Sequence, residues 1–247
     1  MTLLDLSGRA VLVTGGSRGI GAATARLFAV AGARVALTYH TRKADAEAVA
    51  RGIRALVIQA DLRKPGDNER AVDSTVKHFG RLDAFVASAG VWPPVGVAVR
   101  DLSDAQWHDT VAANLGAVFF GARAAIRAMR PGSSVVIVSS TAGQRGEGFH
   151  ADYAATKGAV ISFVKSLAVE VAPGITVNCV APGWVDTEMA APGLQGAERA
   201  KVEASIPLQR IAAAEDIAGP VLFLCSALAR HITGEILNVN GGSVLCG

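Results

Sequence analysis

Val11-Leu12-Val13-Thr14-Gly15-Gly16-Ser17-Arg18-Gly19-Ile20-Gly21 is the stretch from which the architecture unfolds. The β-branched run from Arg9 to Thr14 predicts a strand, and the apolar pattern through Ala31 predicts a helix. The glycines fill the turn between them. In that setting the N–H groups at a helix start can receive a phosphate. Gly15 permits the tight turn, Gly19 lets backbone approach a pyrophosphate, and Gly21 lets helix pack on strand. No Gly-Lys-Ser/Thr follows, so this is not a nucleoside-triphosphate loop. An ordinary glycine-rich turn has the same composition; the flanking strand and helix patterns favour nucleotide binding.

The same alternation continues outward. Further strands are predicted at Arg34 to Thr38, Arg54 to Gln59, Leu82 to Ala87, Ser134 to Ser140, Ile175 to Val180 and Glu235 to Val239. Further helices are predicted at Pro65 to Phe79, Asp104 to Met129, Ala151 to Ala172 and Glu215 to Leu228, with an irregular region up to about Ala214. Strands alternating with helices imply an α/β fold whose parallel sheet is covered on both faces. No repeat or composition break divides residues 1–247, so one domain is expected.

The second strand ends in Thr38-Tyr39-His40-Thr41-Arg42-Lys43, and the first acid is Asp45. A dinucleotide fold that binds a free ribose 2′-OH places an acid near this point. Arg18, Arg42 and Lys43 are instead suited to a 2′-phosphate. NADP(H) is therefore preferred, with NAD(H) possible. The alternative is that Arg42 and Lys43 simply open a solvated helix.

Tyr153-Ala154-Ala155-Thr156-Lys157 lies in the helix that Pro173-Gly174 stops. Positions i and i+4 share a helix face, so Tyr153 and Lys157 point the same way. A free phenol with pKa ~10 is a poor base near neutrality. A cation ~4–5 Å away, at an effective dielectric of ~20, favours phenolate by ~3–4 kcal/mol, or ~2–3 pK units. Tyr153 would then serve as an acid/base group. A surface Tyr and Lys sharing a turn by chance is the plain alternative.

Composition bounds the partners. Of 247 residues, 51% are apolar and 18% charged, which suggests that subunits cover part of the surface. A net charge of +3, spread along the chain, is too weak to argue for nucleic acid. Cys179, Cys225 and Cys246 are far apart and lack zinc-ligand spacing, so no metal is expected and a reducing compartment fits. The N-terminus lacks a signal-peptide pattern, and the apolar runs read as broken by Pro or charge before the ~18 residues of a membrane span. A soluble cytoplasmic protein without membrane partners is expected.

Taken together, Thr14-Gly15-x-x-x-Gly19-x-Gly21, Asp61, Asn114, Ser140, Tyr153-x-x-x-Lys157 and Pro182-Gly183-x-Val185-x-Thr187 resemble the short-chain dehydrogenase/reductase family, in its compact single-domain branch. The resemblance covers essentially the whole chain. It implies a Rossmann-like, doubly wound sheet of seven strands, with the ligand cleft at the strands' carboxyl ends. It implies Tyr153 as acid/base, Lys157 as the residue that lowers the tyrosine pKa and binds the nicotinamide ribose, and Ser140 as the hydroxyl on the substrate carbonyl. Ser139 is the weaker candidate by spacing. Asn114 resembles the asparagine whose backbone holds a water in a proton relay; without the resemblance it reads as a buried helix distortion. Cofactor contacts are implied for Gly15, Ser17, Arg18, Gly19, Ile20 and Gly21, for His40, Arg42, Asp61 and Leu62, and for Ser88, Ala89 and Gly90. Pro182, Gly183, Val185 and Thr187 complete them, Val185 and Thr187 at the carboxamide. The sequence departs from the family's frequent Asn-Asn-Ala-Gly at Ala87-Ser88-Ala89-Gly90, which weakens the expected tie between strands. It also has Asn240-Gly241-Gly242 where Asp-Gly-Gly is common.

Substrate contacts are expected from Ser140, Tyr153, His150 and Trp184, with specificity in the Trp92-Pro93-Pro94 loop, Gln144 to His150, and a substrate-binding loop at about 184–214. Trp184 and Met189 suggest an apolar mouth or the packing of a lid. The Gly-x-Ser-Arg-Gly-Ile-Gly start is most similar to 3-oxoacyl-carrier-protein reductases, so the substrate is a small-molecule or acyl-carrier-bound carbonyl. Arg123, Arg127 and Arg130 would meet an acidic carrier, or form a solvated helix face. The family resemblance implies a homotetramer. Two rivals are a nicotinamide-binding sensor without catalysis and a nucleotide-sugar epimerase or dehydratase. Ser140, Tyr153 and Lys157 argue against the first; the missing longer C-terminal substrate domain argues against the second.

Overall fold

The computed structural model describes residues 4–245. Cys246 and the end of the chain lie outside that range. The chain alternates as β1 Ala10–Thr14, α1 Gly19–Val30, β2 Arg34–Tyr39, α2 Lys43–Ile53, β3 Leu56–Gln59, α3 Pro65–Phe79 and β4 Ala84–Ala87. It continues as α4 Asp104–Val111, a π-helical turn Ala112–Gly116, α5 Ala117–Ala128, β5 Ser133–Val138, α6 Ala142–Arg145 and α7 Ala151–Glu170. Then follow β6 Ile175–Pro182, α8 Ala197–Ser205, α9 Ala214–Leu224 and β7 Ile236–Val239. The seven strands are parallel, in the order β3-β2-β1-β4-β5-β6-β7. The order reverses beside β1, between it and β4, which is where such sheets open a ligand crevice.

Side chains alternate across β1 and divide the core in two. Val11 and Val13 join Phe28, Val35, Leu37, Ile217 and Val221 under α1 and α9. Leu12 joins Ala36, Phe85, Val118, Ile137, Val160 and Val164 under α3, α5 and α7. Period-two alternation sends neighbouring residues to opposite faces. Each fully buried Phe or Leu contributes roughly 1.5–3 kcal/mol.

Several boundaries differ from expectation for local reasons. Arg54 is not strand: it closes α2 in a left-handed conformation, φ 55°, and β3 begins only at Leu56. Asp83 precedes β4, because its buried carboxylate accepts from the Ala10 N–H at 2.8 Å and from Arg81. Ser139 and Ser140 lie just beyond β5. The expected irregular region up to Ala214 is folded. It contains α8, a parallel bridge from Val185 to Ala212, and a small core of Leu194, Ile206 and Ile211.

The helix expected from Asp104 runs to Ala128, with Ser103 Oγ capping its start at Gln106 N–H, 3.2 Å. By length and composition it is apolar enough to cross a membrane. That corrects the expectation of no such stretch. In this fold the segment packs on β4, α3 and α7.

Candidate active site

A cleft of about 510 Å³ opens at the carboxyl ends of the strands. Gly15, Ser17, Arg18, Gly19, Ile20 and Gly21 line its floor; His40, Arg42, Asp61 and Leu62 line one end. Ser88, Ala89 and Gly90 line the middle. Ser140, Tyr153 and Lys157 face Pro182, Gly183, Trp184, Val185 and Thr187 at the other end. Asn114 and His150 stand behind the walls.

The glycine turn is built for a close ligand. Gly15 has φ 67°, and a Cβ there would lie 2.8 Å from the Ala89 Cα. A Cβ on Gly21 would lie 2.2 Å from the Gly15 carbonyl oxygen. The Thr38 hydroxyl and carbonyl accept from the N–H groups of Gly15 and Gly16, at 3.1 and 3.0 Å, and hold the turn open. Helix α1 starts without a side-chain cap or an acid in its first turn, which leaves its positive end aimed at the cleft. These residues fit a dinucleotide pyrophosphate.

At the end lined by His40, Arg42 and Asp61, Arg63 grips Asp61 through two hydrogen bonds of 2.9 Å and holds its carboxyl down at about pKa 2. His40 Nε2 lies 3.9 Å from the same carboxylate. Arg18 and Arg42 both reach one oxygen of Glu188, at 2.7 and 2.6 Å. Lys43 is turned away onto Glu47, 3.8 Å off and one helical turn on. It belongs to the solvated face of α2, not to a phosphate seat.

At the other end, α7 carries Tyr153 and Lys157 on one face. Lys157 Nζ sits 5.7 Å from the centre of the Tyr153 ring and donates to the Val138 carbonyl at 2.9 Å. Burial pulls the lysine down to about 8 and pushes the Tyr153 phenol up to about 12. A hydrogen bond with Ser140 opposes the rise in Tyr153, and the Glu147 carboxylate adds to it. The expected lowering of Tyr153 by Lys157 is therefore reversed. The ammonium donates to the Val138 carbonyl and lies over the ring, and desolvation of the buried phenolate dominates.

Neighbouring serines divide two tasks. Ser139 is buried and donates to the Lys157 carbonyl at 2.8 Å, tying β5 to α7. Ser140 faces the cleft and accepts from the Ala142 N–H at 3.1 Å.

Asn114 is fully buried in the π-helical turn. Its amide closes a two-way clasp on Val91, accepting from its N–H at 2.8 Å and donating to its carbonyl at 2.9 Å. The weaker tie expected at Ser88 is made up by Thr14, whose hydroxyl accepts from the N–H groups of Ser88 and Ala89, at 3.1 and 3.2 Å.

His150, expected to touch substrate, instead buttresses Trp92. The rings stack at 4.6 Å and 16°, and His150 Nε2 lies 3.0 Å from the Pro93 carbonyl. Trp92 in turn donates to Glu147 at 3.2 Å and meets Trp184 edge-on at 6.1 Å. Trp184 both faces the cleft and packs on the Leu194–Ile206–Ile211 core. Arg123 lies 4.9 Å over the Phe119 ring, which draws it away from a free basic stripe.

Asp152 escaped the sequence reading. It is buried and accepts from Thr110 at 2.9 Å, Gln106 at 3.1 Å and the Tyr153 N–H at 2.9 Å, locking α4 to the start of α7. An acid in the first turn of a predicted helix was the available signal.

Comparisons with known proteins agree with this geometry. A family model described as enoyl-(acyl carrier protein) reductase matches residues 15–243. The 3-oxoacyl-[acyl-carrier-protein] reductase FabG of Escherichia coli (strain K12) is 38% identical over 244 residues, covering 97% of this chain and 98% of that one. The 3-oxoacyl-[acyl-carrier-protein] reductase of Synechocystis is 34% identical over 249 residues, covering 97% and 98%. A solved short-chain dehydrogenase of Burkholderia cenocepacia in complex with NADP superposes with TM-score 0.91 at 37% identity, covering 96% of this chain and 98% of that one. A short-chain dehydrogenase/reductase of Brucella melitensis superposes with TM-score 0.94 at 35% identity over the whole of both chains.

Proposed function

The chain belongs to the short-chain dehydrogenase/reductase family, and on that premise we propose that it is an NADP(H)-dependent oxidoreductase that interconverts a ketone and a secondary alcohol. The observation that carries the reading is one continuous cleft lined both by the glycine turn and by Ser140, Tyr153 and Lys157.

The turn Gly15–Gly21 would hold the pyrophosphate. His40, Arg42, Asp61 and Leu62 would hold the adenosine end, with Ser88, Ala89 and Gly90 along the middle. Pro182, Gly183, Val185 and Thr187 would hold the carboxamide end. The bound nicotinamide supplies or takes the hydride.

Tyr153 gives a proton to the substrate oxygen in reduction, or takes it in oxidation. Ser140 lines the cleft beside Tyr153 and orients that oxygen by a hydrogen bond. Lys157, anchored on the Val138 carbonyl and lying over the Tyr153 ring, would hold the nicotinamide ribose, and an ammonium held near the phenol would favour its ionised form. Asn114 keeps the loop after β4 in register with α7 through its clasp on Val91.

The substrate class best supported is a 3-oxoacyl group on a carrier, because two reductases of that name align over nearly their full length. Trp92, Trp184 and Met189 give the mouth an apolar lining, and the folded segment 184–214 acts as its flap. Trp107 on α4, Phe119 on α5 and Val169 on α7 are exposed large apolar side chains, which suits burial in a homotetramer. The deciding experiment is a ketone and alcohol panel, including a 3-oxoacyl thioester, run with NADPH and NADH. Equal or better kcat/KM with NADH overturns the cofactor preference. No cofactor oxidation across the panel overturns catalysis.

A further inference from the structure

Glu188 is tied into the adenosine end of the cleft by an arrangement that the hydride chemistry does not use. Arg18, from the glycine turn, and Arg42, from the start of α2, converge on its Oε2 at 2.7 and 2.6 Å. Two guanidinium groups closing on one oxygen form a seat for a multiply charged anion. The nearby Asp61 does not compete for that seat, since Arg63 holds it. Asp45 touches only Arg42, at 3.5 Å. Glu188 is 57% exposed, so leaving the seat for water costs it little. It is also the neighbour of Thr187, whose methyl lies against Gly19 in the phosphate turn. The carboxylate thus ties the flap to the two arginines.

We propose that Glu188 is a specificity-determining residue whose carboxylate occupies the 2′-phosphate seat. A cofactor bearing that phosphate must displace it, and displacement frees the flap beside Thr187. This rests on the NADP(H) reading above. A cofactor without the 2′-phosphate leaves the Arg18–Glu188–Arg42 bridge closed. Glu188 therefore weakens binding of the phosphorylated cofactor selectively and couples the phosphate seat to the segment that covers the carboxamide end.

The test uses the full chain and two nucleotides without nicotinamide, adenosine 2′,5′-bisphosphate and 5′-AMP, titrated calorimetrically into wild type, Glu188→Gln and Glu188→Ala. Two exposed ion pairs set the scale. Both variants should bind the bisphosphate roughly two- to tenfold more tightly than wild type, with 5′-AMP unchanged. Deuterium uptake across residues 186–196 of wild type should rise when the bisphosphate binds and stay constant with 5′-AMP. Equal bisphosphate affinity in all three proteins, or an equal gain for 5′-AMP, overturns the proposal. Unchanged uptake overturns the coupling to the flap. If 5′-AMP binds and the bisphosphate binds no better to any of the three, the 2′-phosphate reading itself falls with it. That outcome is distinct from tight bisphosphate binding that ignores residue 188.

Discussion

Replacing Lys157 by Met should make the folded chain more stable at neutral pH while abolishing turnover. Lys157 is 6% exposed, and burial brings its pKa from the ordinary 10.5 down to about 8. At pH 7 the fold therefore holds a desolvated ammonium at a cost of roughly 3 kcal/mol relative to the unfolded chain. Methionine removes that cost at nearly equal volume. It also leaves the Val138 carbonyl without its donor, which costs on the order of 1–2 kcal/mol. The net gain at pH 7 is about 1–2 kcal/mol, or a Tm higher by roughly 2–8 °C. The sign follows from linkage. The folded pKa lies below the unfolded one, so the unfolded chain binds more protons between about 8 and 10.5. Wild-type stability from this group rises through that window, and the full penalty applies below it. The variant's lead should shrink at pH 9.5 and vanish or invert by pH 10.5. Urea melts of both proteins at pH 7.0 and 9.5, followed by tryptophan fluorescence, decide it. A variant less stable than wild type at pH 7, or a difference independent of pH, refutes the reasoning.

Tyr153→Phe should keep adenosine 2′,5′-bisphosphate affinity and lose at least ~100-fold in kcat; near-normal turnover removes Tyr153 from the proton path. Asp152→Ala orphans the Thr110 hydroxyl, the Gln106 amide and the Tyr153 N–H, and should cost roughly 2–4 kcal/mol in a urea melt. A loss under 0.5 kcal/mol (well below that scale) would count against this lock. Wild type should elute as a tetramer in size-exclusion chromatography with light scattering, and Phe119→Asp should shift it toward smaller species. A wild-type monomer contradicts the proposed apolar interface.

Much of the fold was legible because its signals are local. Pro65 at a helix start and Gly80 past its end bound α3 at both limits. The β-branched run around Val11-Leu12-Val13 announced a strand, and the structure buries it on both faces. Arg54 misled because a non-glycine residue closes α2 in the left-handed region, where Gly is the usual signal. The helix within segment 184–214 was missed because α8, Ala-Glu-Arg-Ala-Lys-Val-Glu-Ala-Ser, is polar and its start has no side-chain cap. At the site, the ordered motif named many residues that line the cleft, but not Arg63, Val91 or Glu188. It did not reveal where long side chains end. Lys157 reaches Val138 instead of the phenol, Arg18 and Arg42 reach Glu188, and His150 reaches Pro93. Those endpoints depend on tertiary neighbours that no spacing rule encodes.

The π-helical turn at Ala112–Gly116 acts as a phase corrector. Eight steps of unbroken α-helix from Thr110 to Val118 would rotate by about 800°, leaving Val118 about 80° out of line with Thr110. Absorbing one residue leaves seven effective steps, about 700°, and brings the two to within about 20°. Thr110 can then meet Asp152 while Val118, Ala122 and Ala125 sit under the sheet. Trimming one residue from this turn would leave seven plain helical steps, the same 700° or so, so the downstream half would keep its footing and only the wide turn that carries Asn114 would close.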